Sequence, residues 1–242
     1  MRRIALALVV CAACGPPPGA PAALPPAPRP LDEVVPRLVA GEQTTWNVFY
    51  QTMPIGRADL VIGERGARTT FRTSRVARAL ATVRYELATA LDRGRVLGAR
   101  DELSVDGAVE RAEAAVDGAS YTAGGETLRV PGGTHLHTLH SALGAVRAWS
   151  AMRGGGPGYL WMWSGGRLYR LDLSRSTRDD VLGVHALRLD GTVRAPHLSP
   201  SISVSVWLAA NRDRTPLRFA FQSGPHRVIA EVSESTASLE AR

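Results

Sequence analysis

The sequence predicts a mainly β protein: a single curved antiparallel sheet or partial β-barrel with one covering helix. Three observations carry this. Apolar and polar residues alternate with period two from Thr44 onward, the mark of half-buried strands. Turn-forming residues such as Asp92-Arg93-Gly94, Asp106-Gly107, Asp117-Gly118 and Asp190-Gly191 recur at short intervals, as hairpins require. Only one segment repeats at helical spacing.

In chain order, Trp46, Val48 and Tyr50 share one face of a first strand, Met53-Pro54-Ile55-Gly56 turns the chain, and Ala58, Leu60 and Ile62 follow. Val83, Tyr85, Leu87, Thr89 and Leu91 form another strand, paired after a turn with Leu97, Ala99, Asp101, Leu103 and Val105. Tyr159 to Trp163, Ser164-Gly165-Gly166 and Leu168 to Leu173 read as a hairpin. Strands among Ile202–Ala209, Leu217–Gln222 and Val228–Val232 close the chain. Short turns imply a meander, because parallel pairs need long crossovers. In Ser141 to Met152, Leu143, Val146 and Trp149 recur every three residues, and Gly154-Gly155-Gly156-Pro157 stops the helix. A helix over an open face of a curved sheet is one way to protect strand edges.

The β domain is expected over 41–242, preceded by two segments of another kind. Residues 1–13 have the shape of a signal peptide: Arg2-Arg3, an unbroken apolar run from Ile4 to Val10, then small residues. Ala12-Ala13 before Cys14 resembles the lipobox of bacterial lipoproteins, with Cys11 where that pattern most often has Leu. The resemblance implies acylation of Cys14 and a membrane-anchored protein, on the periplasmic side and at the outer membrane. A plain secretory signal cut near Ala13 or Ala20 is the alternative. Both cysteines lie here, so the remainder folds without disulfides. Residues 14–40 read as the anchor cysteine and a tether with nine prolines, which disfavour helix and sheet. At roughly 3 Å per residue such a tether holds a domain several nanometres from the bilayer.

Composition narrows the function classes. The formal charge of the 242 residues is +7, yet every basic residue is Arg and none is Lys. The arginines are scattered along strands, without the basic runs and interleaved aromatics of a nucleic-acid surface. Nucleic acid is therefore not an expected partner. No apolar run approaches the roughly 18 residues of a spanning helix. There is no G-x-S-x-G elbow, no cysteine beyond Cys14 and no glycine loop opening a helix. The adjacent acids Asp101-Glu102 and Asp179-Asp180 point to opposite faces of a strand and cannot cooperate. No reaction and no cofactor are expected.

Three blocks carry a resemblance. The first is Gly41-Glu42 before Trp46-Asn47-Val48-Phe49-Tyr50 and Ile55-Gly56-Arg57-Ala58. The second is His140-Ser141-Ala142-Leu143 leading to Arg147-Ala148-Trp149. The third is Val206-Trp207-Leu208, Asp213, Pro216-Leu217-Arg218-Phe219, Gly224 and Val228. In order and spacing they resemble the bacterial domain-of-unknown-function family numbered 3108, over residues 41–233. The resemblance implies an exported or envelope-located β protein, similar in outline to half-barrel lipoprotein-handling folds. It implies no established reaction.

Two sets of side chains are candidate sites. Trp161, Trp163, Trp207, Phe219 and Phe221 fall on strands and could line a concavity for a lipid acyl chain or another apolar ligand. His135, His137 and His140 have spacing that can ligate zinc or copper, or can serve as polar residues before the helix. Two function classes stay open: a non-catalytic envelope lipoprotein that binds an apolar ligand or envelope component, and a scaffold that binds an envelope protein through its sheet edge or rim arginines. An empty concavity favours the first, a filled core with an exposed apolar patch the second.

Overall fold

A computed structural model of the protein describes residues 24–31, 34–152, 157–195 and 201–236. The signal segment 1–13 and Cys14 lie outside them. The strands are β1 (Arg29–Pro30), β2 (Gln43–Tyr50), β3 (Met53–Ile62), β4 (Gly66–Thr73), β5 (Val83–Asp92), β6 (Arg95–Val105), β7 (Ala108–Asp117) and β8 (Ser120–Ala123). They continue with β9 (Glu126–Arg129), β10 (Leu136–His137), β11 (Gly158–Ser164), β12 (Arg167–Val181), β13 (Val184–Arg194), β14 (Ile202–Ala209), β15 (Pro216–Ser223) and β16 (His226–Ser235). Helix α1 spans Leu139–Ala151.

All sixteen strands belong to one curved, open sheet, ordered β1-β11-β12-β13-β14-β15-β16-β2-β3-β4-β5-β6-β7-β8-β9, with β10 also on β11. Its middle is a seam between the last strand and the second, from Val228 opposite Tyr50 to Ser235 opposite Thr44. Neighbours are antiparallel except where β1 and β10 run parallel to β11. The expected meander holds, with two detailed corrections. The first hairpin turns at Gln51–Thr52, with Gln51 at φ 57°, while Met53 to Gly56 already belong to β3. Asp190-Gly191 lies inside β13, and the turn comes at Leu182-Gly183. A Cβ on Gly191 would stand 2.6 Å from the Asp172 carbonyl, so this glycine answers close strand approach rather than a turn.

Register shifts decide which alternate residue faces inward. A bulge between Ala90 and Leu91 on β5 disturbs the pairing with β6. Val96 is buried there, and Leu97, expected inside, is exposed. Strand β11 is apolar on both faces: Leu160 and Met162 pack in the main core, whereas Trp161 and Trp163 meet Ala99, Ala114 and Tyr121 of β6–β8. The β11 end of the sheet is therefore wrapped within the curl and is no free edge.

Helix α1 packs on the concave side. Thr138 and Ser141 cap it reciprocally. Ala142, Leu143, Ala145, Val146 and Trp149 join the main core. A second strip of chain covers it from outside: the Arg37 N–H donates to the Gly144 carbonyl, and a Cβ on Gly144 would crowd Leu38 and Pro36 at 3.1 Å. The expected free tether is therefore corrected for residues 24–31 and 34–40, which pack on the domain. Arg29-Pro30 pairs with β11, and Leu31 is buried, its N–H on the Tyr159 carbonyl. An outermost two-residue strand tolerates proline because its missing N–H is not asked for.

Candidate functional site: an apolar cavity in the curled sheet

The concave face keeps a cavity of about 330 Å³. Alternation aims Trp46 of β2, Leu60 of β3, Phe71 of β4 and Phe219 and Phe221 of β15 into it, and Leu143 of α1 closes one side. Its lining is overwhelmingly hydrocarbon and aromatic, which suits an apolar ligand.

The polar groups are few and fall into two sets. At one end, Tyr85 and Ser164 line the cavity and converge on buried Asp101. The Asp101 Oδ2 accepts from the Tyr85 hydroxyl at 3.1 Å, the Ser164 hydroxyl at 3.1 Å and the Gly165 N–H at 3.0 Å. Burial pushes the Asp101 carboxyl above the usual carboxylate range, although these donors pull the other way. Burial, followed by the neighbouring Asp101, also pushes the Tyr85 phenol up. Asp101 thereby ties β6 to the β11–β12 turn across the curl.

The second set centres on His140 at the start of α1. Its Nε2 meets the Thr69 hydroxyl at 2.9 Å and its Nδ1 the Thr89 hydroxyl at 2.7 Å, and Thr89 donates to Thr138 at 3.0 Å. Desolvation holds the His140 imidazole down at about 4. His137 is also held at about 4, by burial and then by His135. Its Nδ1 faces the Ser141 hydroxyl at 3.3 Å.

The expected three-histidine metal centre is corrected by this geometry. Both nitrogens of His140 are occupied by threonines. Among the described residues no three His, Cys, Asp or Glu side chains gather in metal-binding reach. The imidazoles join the helix start to the sheet. Two neutral buried histidines have a further consequence. Unfolded imidazoles take up protons below about 6.5 and the folded ones below about 4, so stability falls as pH drops through that window. Each histidine contributes roughly 2–3 kcal/mol to that loss at 1.36 kcal/mol per unit. Urea midpoints measured from pH 7 to 4 should show it, and His140→Gln should remove about half the slope.

Of the aromatic candidates, Trp163, Phe219 and Phe221 line the cavity. Trp161 does not reach it and is packed against β6–β8 with Val130 and Leu136. Trp207 is a correction: it alternates with Val206 and Leu208 and faces outward. Its ring lies between the guanidinium groups of Arg188 and Arg218 at 5.3 and 5.5 Å, and its Nε1 donates to Asp179 at 2.7 Å. There it flanks a polar outer groove with Asp190 and Ser205. The expected opposition of adjacent acids holds: Asp179 serves Trp207 while Asp180 meets His185, and Asp101 is buried while Glu102 meets Arg111 outside. The polar pair Tyr85–Asp101 went unread as a site, though an acid within the inward series Ala99, Asp101, Leu103 was its signal.

No family model matches the chain, and no curated protein does. Among solved structures, the chain is similar to a β-barrel-like protein of domain of unknown function DUF1849 from Brucella abortus. Identity is 9%, coverage 81% of this chain and 98% of that one, and the TM-score 0.58. A DUF1089 family protein from Pseudomonas aeruginosa aligns at 12% identity over 71% of this chain and 88% of that one, TM-score 0.42. The Mycobacterium tuberculosis lipoprotein LppX aligns at 12% over 84% and 90%, TM-score 0.28. At 9% identity the first likeness shows a shared fold, so the chain takes a β-barrel-like architecture.

Proposed function

We propose that this chain is an exported, lipid-anchored protein of the cell envelope that holds an apolar ligand, such as an acyl chain, in its curled sheet without catalysing a reaction. The observation that carries the reading is the cavity itself: an apolar space inside the concave face that Trp46, Phe71, Phe219 and Leu143 line but do not fill. A core serving only as a scaffold would be packed to native density. The polar groups at Tyr85 and Ser164, backed by Asp101, suit a hydrogen-bonding group on a long hydrocarbon body, while His140 and Thr69 of the second set are bonded to each other. Anchoring at Cys14 and an envelope address rest on the lipobox-like start of the sequence.

Membership of the domain-of-unknown-function family numbered 3108 belongs to the same proposal. Its first block supplies Glu42 and its central block Arg147, and these two side chains meet inside the fold. Organic extraction of the purified protein followed by mass spectrometry tests the ligand reading. A lipid or other apolar compound at near one equivalent is expected, and its absence from protein made in cells with an intact envelope would refute the reading.

A further inference from the structure

The cavity opens beside the β4–β5 connection, residues 74–82, and this connection carries an unusual surface. Leu80 lines the cavity and is 61% exposed, Leu139 lines it and is 42% exposed, and Val76 is 70% exposed. The connection has a fixed shape. The Ala77 N–H donates to the Ser74 hydroxyl, and Ala77 is buried beneath a short 3-10 turn. The exposed leucine and valine are thus held outward around the opening and do not belong to a frayed loop.

Basic residues surround these apolar tips. Arg75 and Arg78 are exposed on the same connection, and Arg72 and Arg84, opposite one another in the strands leading into it, are exposed too. No acidic residue occurs between Arg72 and Tyr85. The acid at its far end, Asp106, accepts the Thr82 N–H at 2.8 Å.

We infer that the β4–β5 connection is a membrane-docking surface, which seats the cavity mouth on a bilayer of anionic phospholipid. An apolar tip ringed by cations matches the interface of such a bilayer. The leucine and valine enter the acyl boundary, and the guanidinium groups pair with phosphates. A protein interface would put aromatic side chains at its centre and charges at its rim, and this connection has no aromatic residue. With residues 24–31 and 34–40 packed on the domain, only nine residues lie between Cys14 and Leu24, ten steps along the chain. At about 3.5 Å per residue the span is at most roughly 35 Å, so an acylated Cys14 would hold the domain close to the bilayer. The docking rests on the proposed function only for what would pass through the mouth; the contact itself is measured without ligand.

The test uses the full chain carrying Cys11→Ser and Cys14→Ser, so that no acyl group forms. It is sedimented with vesicles of phosphatidylcholine alone or mixed with phosphatidylglycerol. All variants share the same N-terminal segment, so its own affinity cancels between them. Binding to the phosphatidylglycerol vesicles is expected to be the stronger. Val76→Asp with Leu80→Asp should weaken it at least tenfold or so, as should Arg75→Gln with Arg78→Gln, each arginine near a surface contributing about 1 kcal/mol. Leu182→Asp, in the exposed β12–β13 turn, should leave it unchanged. The inference is overturned if the parent does not bind, if the Val76/Leu80 variant binds like the parent, or if Leu182→Asp weakens binding equally. It is also overturned if the parent self-associates rather than binding vesicles, and the Val76/Leu80 variant abolishes that association. Extracted ligand measured on the Arg75/Arg78 variant separates the two readings, because neither arginine lines the cavity.

Discussion

Glu42→Ala is expected to destabilise the domain by about 3–5 kcal/mol, because it strands a buried guanidinium without its counter-ion. The Arg147 side chain emerges from the middle of α1 into the core, and both it and the Glu42 side chain have no solvent exposure. The two form a bidentate pair, Nη1 to Oε2 at 2.8 Å and Nη2 to Oε1 at 2.6 Å, and the Thr44 hydroxyl adds a bond to Oε1 at 3.2 Å. Burying two charges is expensive, and the attraction recovers that cost only while both remain. Against a total of about 5–15 kcal/mol for an ordinary domain, the single substitution is severe. Glu42→Leu together with Arg147→Met removes both charges and should restore most of the loss. Urea unfolding at constant slope measures both. A midpoint for Glu42→Ala close to the parent's would show that water reaches Arg147 and that the pair is not a buried lock.

Ala230→Phe is expected to reduce co-purifying ligand at least about tenfold with the fold intact, since a ring there occupies the cavity. Ala230 lies on β16 opposite Val48, and it packs where the two main apolar clusters meet. Ala58→Phe on β3, two strands along the same wall, should act alike. Overpacking a filled core costs typically 1–3 kcal/mol, whereas filling an empty space does not. The two measurements therefore discriminate. Unchanged ligand with a large loss of stability would mean that the space is not where the ligand sits.

Strand alternation was legible because the inner face of a sheet is nearly all apolar. Val83, Leu87 and Leu91 could have no other common destination. Turn positions were less legible. Gln51 adopts the left-handed conformation without being glycine, and Asp190-Gly191 has hairpin composition inside a strand because Gly191 must admit the β12 backbone. The aromatic set was half legible for a similar reason. Alternation places Phe219 and Phe221 on one face, but which face is inside depends on long-range pairing. Trp207 shows this, having been grouped with them by type and facing outward. The packed N-terminal strip was illegible, since proline content reports what a segment cannot donate and not what it can lie against. Likewise Glu42 and Arg147 are 105 residues apart, and nothing local reveals that they meet.

The seam between β16 and β2 sets an order of events for the whole chain. Residues 43–50 find their second neighbour only in residues 226–235, so the centre of the sheet remains a pair of open edges until nearly all the polypeptide is available. Contacts this distant in sequence make folding slow. During synthesis the β2–β9 half and the β11–β16 half can each begin as hairpins, but neither can enclose the apolar interior alone. A chain built this way spends its first moments extended and sticky, in need of a holding partner. If the chain is exported as proposed, the same delay would leave it thin enough to pass a narrow translocation pore before it rolls up.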